Sequence, residues 1–116
     1  MSAQTITDML DWIELHLEQP ITLPQLAAHF GYSPCYCSAQ LRAHLNVPFR
    51  IYLTSRRLAS AAEALRMTNR RILDIAVQYG FSSHESFAHA FRRAYGRTPS
   101  SYRQQFRHGS RKKAIS

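Results

Sequence analysis

The chain has 116 residues, 45% of them hydrophobic, which allows a modest core and excludes a polar disordered tail as its main identity. Its formal net charge is +8, carried mainly by 13 arginines. Residues 1–18 contain four acidic and no basic side chains, whereas residues 19–116 contain 15 basic and three acidic ones. This asymmetry favours docking on a polyanion, and the planar guanidinium suits phosphate. The sequence has no run of about 20 apolar residues, the length that a membrane-spanning helix needs. Two cysteines and no export signal favour a reducing cytoplasm.

Helical patterns begin near the N-terminus. A stripe of apolar side chains at helical spacing predicts a first helix over about residues 6–18. The stripe consists of Met9, Leu10, Ile13 and Leu17. Thr22 and Gln25 form a capping box that predicts a second helix over residues 23–30. Ser33-Pro34 predicts the start of a third helix that runs to about residue 44.

Further helices follow, and no segment shows the alternation of a strand. A stretch rich in leucine and alanine predicts a long helix over residues 49–67. Three shorter helices are predicted over residues 72–79, from the Ser82-Ser83 cap to about residue 95, and over residues 99–105.

The strongest internal signal is a duplication. Residues 26–33, Leu-Ala-Ala-His-Phe-Gly-Tyr-Ser, align with residues 75–82, Ile-Ala-Val-Gln-Tyr-Gly-Phe-Ser, at an offset of 49 that becomes 50 beyond the turn. Each copy is a helix, a glycine, an aromatic residue, a serine and a second helix. Gly31 and Gly80 supply the positive φ that a sharp turn between two helices needs. This pattern is typical of a helix-turn-helix, whose second helix inserts its N-terminal part into the major groove.

The expected fold class is therefore all-α, with about seven helices forming two helix-turn-helix subdomains joined by a long central helix. The predicted boundaries are 1–48 for the N-terminal subdomain, 49–67 for the linker helix and 68–106 for the C-terminal subdomain. Residues 107–116 are expected to form a disordered basic tail.

A long motif runs through the C-terminal half. Its residues are Ile72, Ile75, Ala76, Gly80, Phe81, Ser82, Ser83, Phe87, Phe91, Arg92, Arg93, Gly96, Pro99, Tyr102 and Arg103. Trp12-Ile13, Gly31-Tyr32-Ser33 and Arg56-Arg57-Leu58 extend the match over about residues 6–105. This pattern resembles the AraC/XylS transcription regulators, and among them the compact members without an effector domain. The resemblance implies a sequence-specific regulator, more often an activator, that binds double-stranded DNA as a monomer across adjacent major-groove segments. It also implies recruitment of RNA polymerase in the bacterial cytoplasm.

The resemblance further implies which residues contact DNA. The first recognition helix would present Cys35, Ser38 and Ala39 to the bases, and the second would present His84, Glu85, Ala88 and His89. Glu85 can accept a hydrogen bond from cytosine N4, and His89 can donate one to guanine. Phosphate contacts would fall to serines at helix starts and to arginines, namely Ser33, Arg42, Arg56, Arg57, Ser82, Ser83, Arg92, Arg93 and Arg103.

A low-specificity, nucleoid-type DNA-binding protein is the alternative, because the side chains at positions 35, 38 and 39 are small. The sequence offers no set of nucleophile, base and orienting group, so no enzyme is expected. His84 and His89 are five residues apart, whereas a helix needs a spacing of three or four for a shared metal ion. No metal and no cofactor are expected.

Overall fold

The structure, a computed structural model, describes the backbone of residues 1–115 and the side chains of residues 1–107. Within that part the chain forms seven helices and no strand. The helices are α1 (Ala3–Leu15), α2 (Leu23–Phe30), α3 (Pro34–Leu45), α4 (Phe49–Met67), α5 (Ile72–Gln78), α6 (His84–Tyr95) and α7 (Pro99–Ile115). The predicted all-α class is confirmed. None of the described helices is both long and apolar enough to cross a membrane.

The largest differences from the predicted helices occur at the two ends of the chain. Helix α1 begins at Ala3 rather than near residue 6, because the Ser2 side chain caps it by accepting a hydrogen bond from the Thr5 amide. Helix α7 continues to Ile115, beyond the predicted end near residue 105. The predicted basic tail, residues 107–116, lies almost wholly outside the residues whose side chains are described, and its disorder stays a prediction.

The chain divides into two compact units, Met1–Arg57 and Leu58–Ser116, called unit 1 and unit 2 below. Each unit has its own hydrophobic core. The unit 1 core consists of Ile6, Met9, Ile13, Leu17, Ile21, Leu26, Ala27, Cys37, Leu41, Phe49 and Leu53. The unit 2 core consists of Leu58, Ala61, Ala62, Leu65, Ile75, Ala76, Phe87 and Phe91.

Helix α4 contributes to both cores. Its first turns bury Phe49 and Leu53 in the unit 1 core, and its later turns bury Leu58 and Leu65 in the unit 2 core. The division at residue 57 therefore falls inside a continuous helix, within the segment 49–67 that the sequence predicts as a linker helix.

The duplication extends to arginines that bind the segment following a helix. In unit 1, Arg57 on α4 donates from Nε to the Leu17 carbonyl oxygen and from Nη2 to the Gln19 carbonyl oxygen. In unit 2, Arg107 on α7 donates from Nη2 to Oδ1 of Asn69. Both donor and acceptor are shifted by 50 residues between the units. Helix α4 thus has the same role toward α1 that α7 has toward α4.

Candidate nucleic-acid interface

In unit 1, α2 and α3 form a helix pair joined by a three-residue turn. The capping box predicted at Thr22 is present, with the Gln25 side chain bound to the Thr22 amide. Gly31 ends α2 in the left-handed conformation, with a φ of 79°. The Tyr32 amide then donates to the Ala27 carbonyl oxygen at 2.9 Å. This bond and the packing of the Tyr32 ring against the unit 1 core fix the angle of the turn.

In unit 2, α5 and α6 repeat this geometry. Gly80 has a φ of 84°, and the Phe81 amide donates to the Ala76 carbonyl oxygen at 2.9 Å. The Phe81 ring packs against the unit 2 core, where its centroid lies 5.1 Å from that of Phe87. Two sequences that share few side chains therefore build the same turn, as the duplication predicts.

Helix α3 has one buried side and one open side. Cys37 and Leu41 are fully buried in the unit 1 core. The predicted base-contacting residues Cys35, Ser38 and Ala39 are all exposed. Their spacing, i, i+3 and i+4, puts them on one stripe of the helix. The stripe carries no net charge and no long side chain until Arg42, which is also exposed.

Helix α6 shows the same division with different chemistry. Phe87 and Phe91 are fully buried, and their ring centroids lie 5.7 Å apart. On the open side, the predicted base-contacting residues His84, Glu85 and His89 are exposed, and Ala88 is half-buried. This stripe is polar and bears ionisable groups, in contrast to that of α3.

Three serines were predicted to hold phosphates, and all three are exposed at the starts of the second helices. Ser33 Oγ caps α3 by accepting from the Tyr36 amide at 3.2 Å. Ser83 Oγ caps α6 by accepting from the Ser86 amide at 3.0 Å. A capping hydroxyl still has its own hydrogen to donate, so capping and a phosphate contact are compatible. Ser82 lies directly before that cap.

The predicted phosphate-binding arginines fall into two groups. Arg42, Arg92 and Arg93 are exposed, and no hydrogen bond or ion pair engages them among the described residues. Arg56, Arg57 and Arg103 are partly buried and have partners in their own unit.

The partners of the second group are well defined. Arg56 forms an ion pair with Glu14, and Arg57 binds the two carbonyl oxygens given above. Arg103 donates from Nε to the Leu65 carbonyl oxygen at 3.0 Å. Burial lowers the pKa of Arg57, and burial together with the charge of Arg107 lowers the pKa of Arg103. Each of these three side chains thus contacts another helix of its own unit or the segment that follows that helix. Their predicted phosphate contacts stay predictions.

The structure also draws attention to a basic residue that the sequence reasoning did not select. Arg97 lies in the turn between α6 and α7, and together with Arg92, Thr98 and Ser101 it lines an open cavity of about 370 Å³. Neither arginine has a partner in the described part of the chain. The signal available in the sequence was an arginine directly before Thr98-Pro99, where a helix begins.

Comparison with known proteins gives concordant results. Residues 26–105 match a family described as a helix-turn-helix domain. The chain is 41% identical over 102 residues to the right origin-binding protein of Escherichia coli K12, an alignment that covers 88% of this chain but 35% of that protein. The chain thus spans about a third of the length of that relative. It is 38% identical over 102 residues to the regulatory protein SoxS of Salmonella typhimurium, covering 88% of this chain and 95% of SoxS.

A solved structure shares the fold. The C-terminal domain of AraT, a response regulator from Geobacillus stearothermophilus, superposes with a TM-score of 0.83 at 31% identity. The match covers 89% of this chain and 86% of that one.

Proposed function

The chain belongs to the AraC-type helix-turn-helix family of DNA-binding transcription regulators, and from that premise we propose that it is a sequence-specific activator acting as a monomer. One chain occupies two adjacent major-groove segments of double-stranded DNA, one through α3 and one through α6, and recruits RNA polymerase in the bacterial cytoplasm. The observation that carries this proposal is the repeated turn, because both copies leave the first turns of their second helix exposed.

The contact residues follow from exposure. The base contacts are assigned to the open stripes of α3 and α6, and the backbone contacts to Ser33, Ser82 and Ser83 at the helix starts. Arg42, Arg92 and Arg93 provide the charged phosphate contacts, since no other described residue engages their guanidiniums. We add Arg97 to this group, because it shares an open cavity with Arg92. Arg56, Arg57 and Arg103 are assigned chiefly to holding helices within each unit.

The test is the ratio of affinities for a duplex selected from a random pool and for an unselected duplex, both at near-physiological salt. A specific regulator gives a ratio of roughly 10³ or more. Sedimentation of the complex gives the stoichiometry, for which we expect one chain per duplex. Transcription in vitro from a promoter bearing the selected site then tests activation and the dependence on RNA polymerase.

The alternative is a nucleoid-type binder with little sequence preference. The small side chains of Cys35, Ser38 and Ala39 favour it, since they offer few hydrogen bonds to base edges. An affinity ratio near one in the experiment above would support this alternative over the specific regulator.

A further inference from the structure

One carboxylate stands out on the open stripe of α6. Glu85 lies in the first turn of that helix, is exposed, and makes no hydrogen bond or ion pair with any described residue. Unit 2 has two other acidic side chains in its described part. Asp74 is paired with Arg71 at 3.0 Å, and Glu63 is exposed on α4. Glu85 is therefore an unpaired negative charge on the helix face assigned to DNA.

An acidic residue in the first turn of a helix has an ordinary use, which is to interact with the positive end of the helix dipole. At α6 the Ser83 and Ser86 amides are already bound by the reciprocal bonds between these two serines, which cap the helix without Glu85. A dipole role for Glu85 would stabilise the helix but would not affect which DNA sequence is bound. The two roles can thus be separated by experiment.

The corresponding position in unit 1 differs in kind. Cys35 lies 50 residues before Glu85, and with Ser38 and Ala39 it gives α3 a narrow, uncharged open stripe. Such a stripe can lie close to the groove floor and contact a thymine methyl group, but it cannot form a two-bond contact with a base edge. The two helices therefore present unequal chemistry to DNA.

We propose that base discrimination resides mainly in α6 and that Glu85 achieves it by exclusion. This inference rests on the proposed function. In the groove, the Glu85 carboxylate is satisfied where a base edge offers an exocyclic amino group, above all N4 of cytosine. Opposite the acceptor atoms of guanine or thymine it is desolvated without a donor and lies among phosphates of the same sign. Wrong sequences are thus penalised more than the right one is rewarded, which is a recognised route to specificity.

The test compares Glu85→Gln with the wild-type chain and with Glu63→Gln, which removes the same charge from an exposed position on α4. Each full-length protein is assayed against a duplex selected by the wild type and against an unselected one at fixed salt. For Glu85→Gln we expect affinity for the unselected duplex to rise roughly three- to tenfold, because a repulsion is lost. The affinity ratio should fall roughly tenfold or more, and preference at one base pair should move from cytosine toward adenine, which an amide recognises. Glu63→Gln should keep the ratio and the base preference.

A third variant tests the inequality of the two helices. Cys35→Ala combined with Ser38→Ala changes the open stripe of α3, and we expect it to weaken binding to the selected and the unselected duplex by about the same factor. If this variant loses preference at positions of its own, or if Glu85→Gln keeps the wild-type preference, the inference is overturned. A wild-type ratio near one has a different meaning, since it overturns the proposed sequence-specific function itself. Misfolding cannot imitate the expected result, because an unfolded variant would not bind unselected DNA more tightly.

Discussion

The Nε group of Arg103 donates a hydrogen bond to the Leu65 carbonyl oxygen, 3.0 Å away, and so joins α7 to the C-terminal end of α4. Carbonyl groups in the last turn of a helix have no partner within the helix, so a guanidinium there satisfies one of them. In unit 1, Arg57 makes a related contact with the Leu17 carbonyl oxygen, two residues beyond the end of α1. A substitution that kept only the positive charge would lose such a contact, because the contact depends on the position of the Nε atom.

Replacing Arg103 with alanine should therefore lower stability more than DNA affinity. The lost hydrogen bond from a charged donor is partly offset, because the Arg103 Nη2 atom is buried without a partner among the described residues. We expect a loss of about 1 kcal/mol, seen in thermal melting as a midpoint lowered by roughly 4 °C. Below the melting range, the dependence of DNA affinity on salt should match the wild type. A smaller salt slope would instead assign Arg103 to a phosphate.

Arg92 and Arg97 should behave in the opposite way. Their guanidiniums have no partner among the described residues, so alanine at either position should leave the melting temperature nearly unchanged. Each change should weaken binding to all DNA sequences alike, and the slope of log K against log salt should decrease by about 0.9. Arg66→Ala is the matched control and should keep the wild-type salt slope. The Arg66 guanidinium is not assigned to phosphate and lies 5.3 Å from the centre of the Phe106 ring. A loss confined to particular sequences would contradict the phosphate assignment.

The two cysteines should differ sharply in reactivity. Cys35 is exposed, whereas Cys37 is fully buried with its Sγ 4.0 Å from Sδ of Met9, and burial raises the pKa of the Cys37 thiol. Because the thiolate is the reactive form, one thiol per native chain should react promptly with a disulfide reagent, and Cys37 should react on the order of a hundredfold more slowly. Cys35→Ser should abolish the fast phase.

The same labelling assay examines the orientation of α3 on DNA. A selected duplex should protect Cys35 from the reagent, since the open stripe of α3 is assigned to the groove. If Cys35 reacts at the same rate with and without saturating DNA, α3 does not enter the groove with this stripe.

The turn between α2 and α3 should tolerate asparagine better than alanine at position 31. Gly31 has a φ of 79°, and a side-chain carbon built there would meet no atom within 4 Å, so the cost is backbone strain alone. We expect Gly31→Ala to reduce the free energy of unfolding by about 1 to 2 kcal/mol, measured by urea denaturation. Gly31→Asn should cost less, because asparagine adopts the left-handed region more readily. Equal losses for the two variants would point to a steric cause instead.

Much of this architecture could be read from the sequence because its determinants are local. Helix starts follow from a capping residue and its partner three positions later, as at Thr22 and Ser33. Helix ends follow from a glycine with positive φ, as at Gly31. Helical periodicity then separates exposed Cys35 from buried Cys37 without any knowledge of the tertiary fold.

The features that sequence reasoning missed depend on partners far along the chain. Nothing in the residues around Arg57 indicates that its guanidinium meets carbonyl oxygens 38 and 40 residues earlier. A backbone acceptor has no residue-specific signature, so such an arginine looks the same as one that is free. Arg97 is a different case, because it lies in a turn beside an open cavity. A single arginine in a turn belongs to no periodic pattern, so the sequence gives no reason to select it.

Helix α4 determines where this chain can be cut. Because Phe49 and Leu53 belong to one hydrophobic core and Leu58 and Leu65 to the other, a fragment ending at residue 48 would lack side chains that its own core requires. An N-terminal fragment that keeps its core must therefore extend past Leu53, and a C-terminal fragment that keeps its core must begin no later than Leu58. Both limits fall inside α4, so a cut that separates the two cores interrupts a continuous helix.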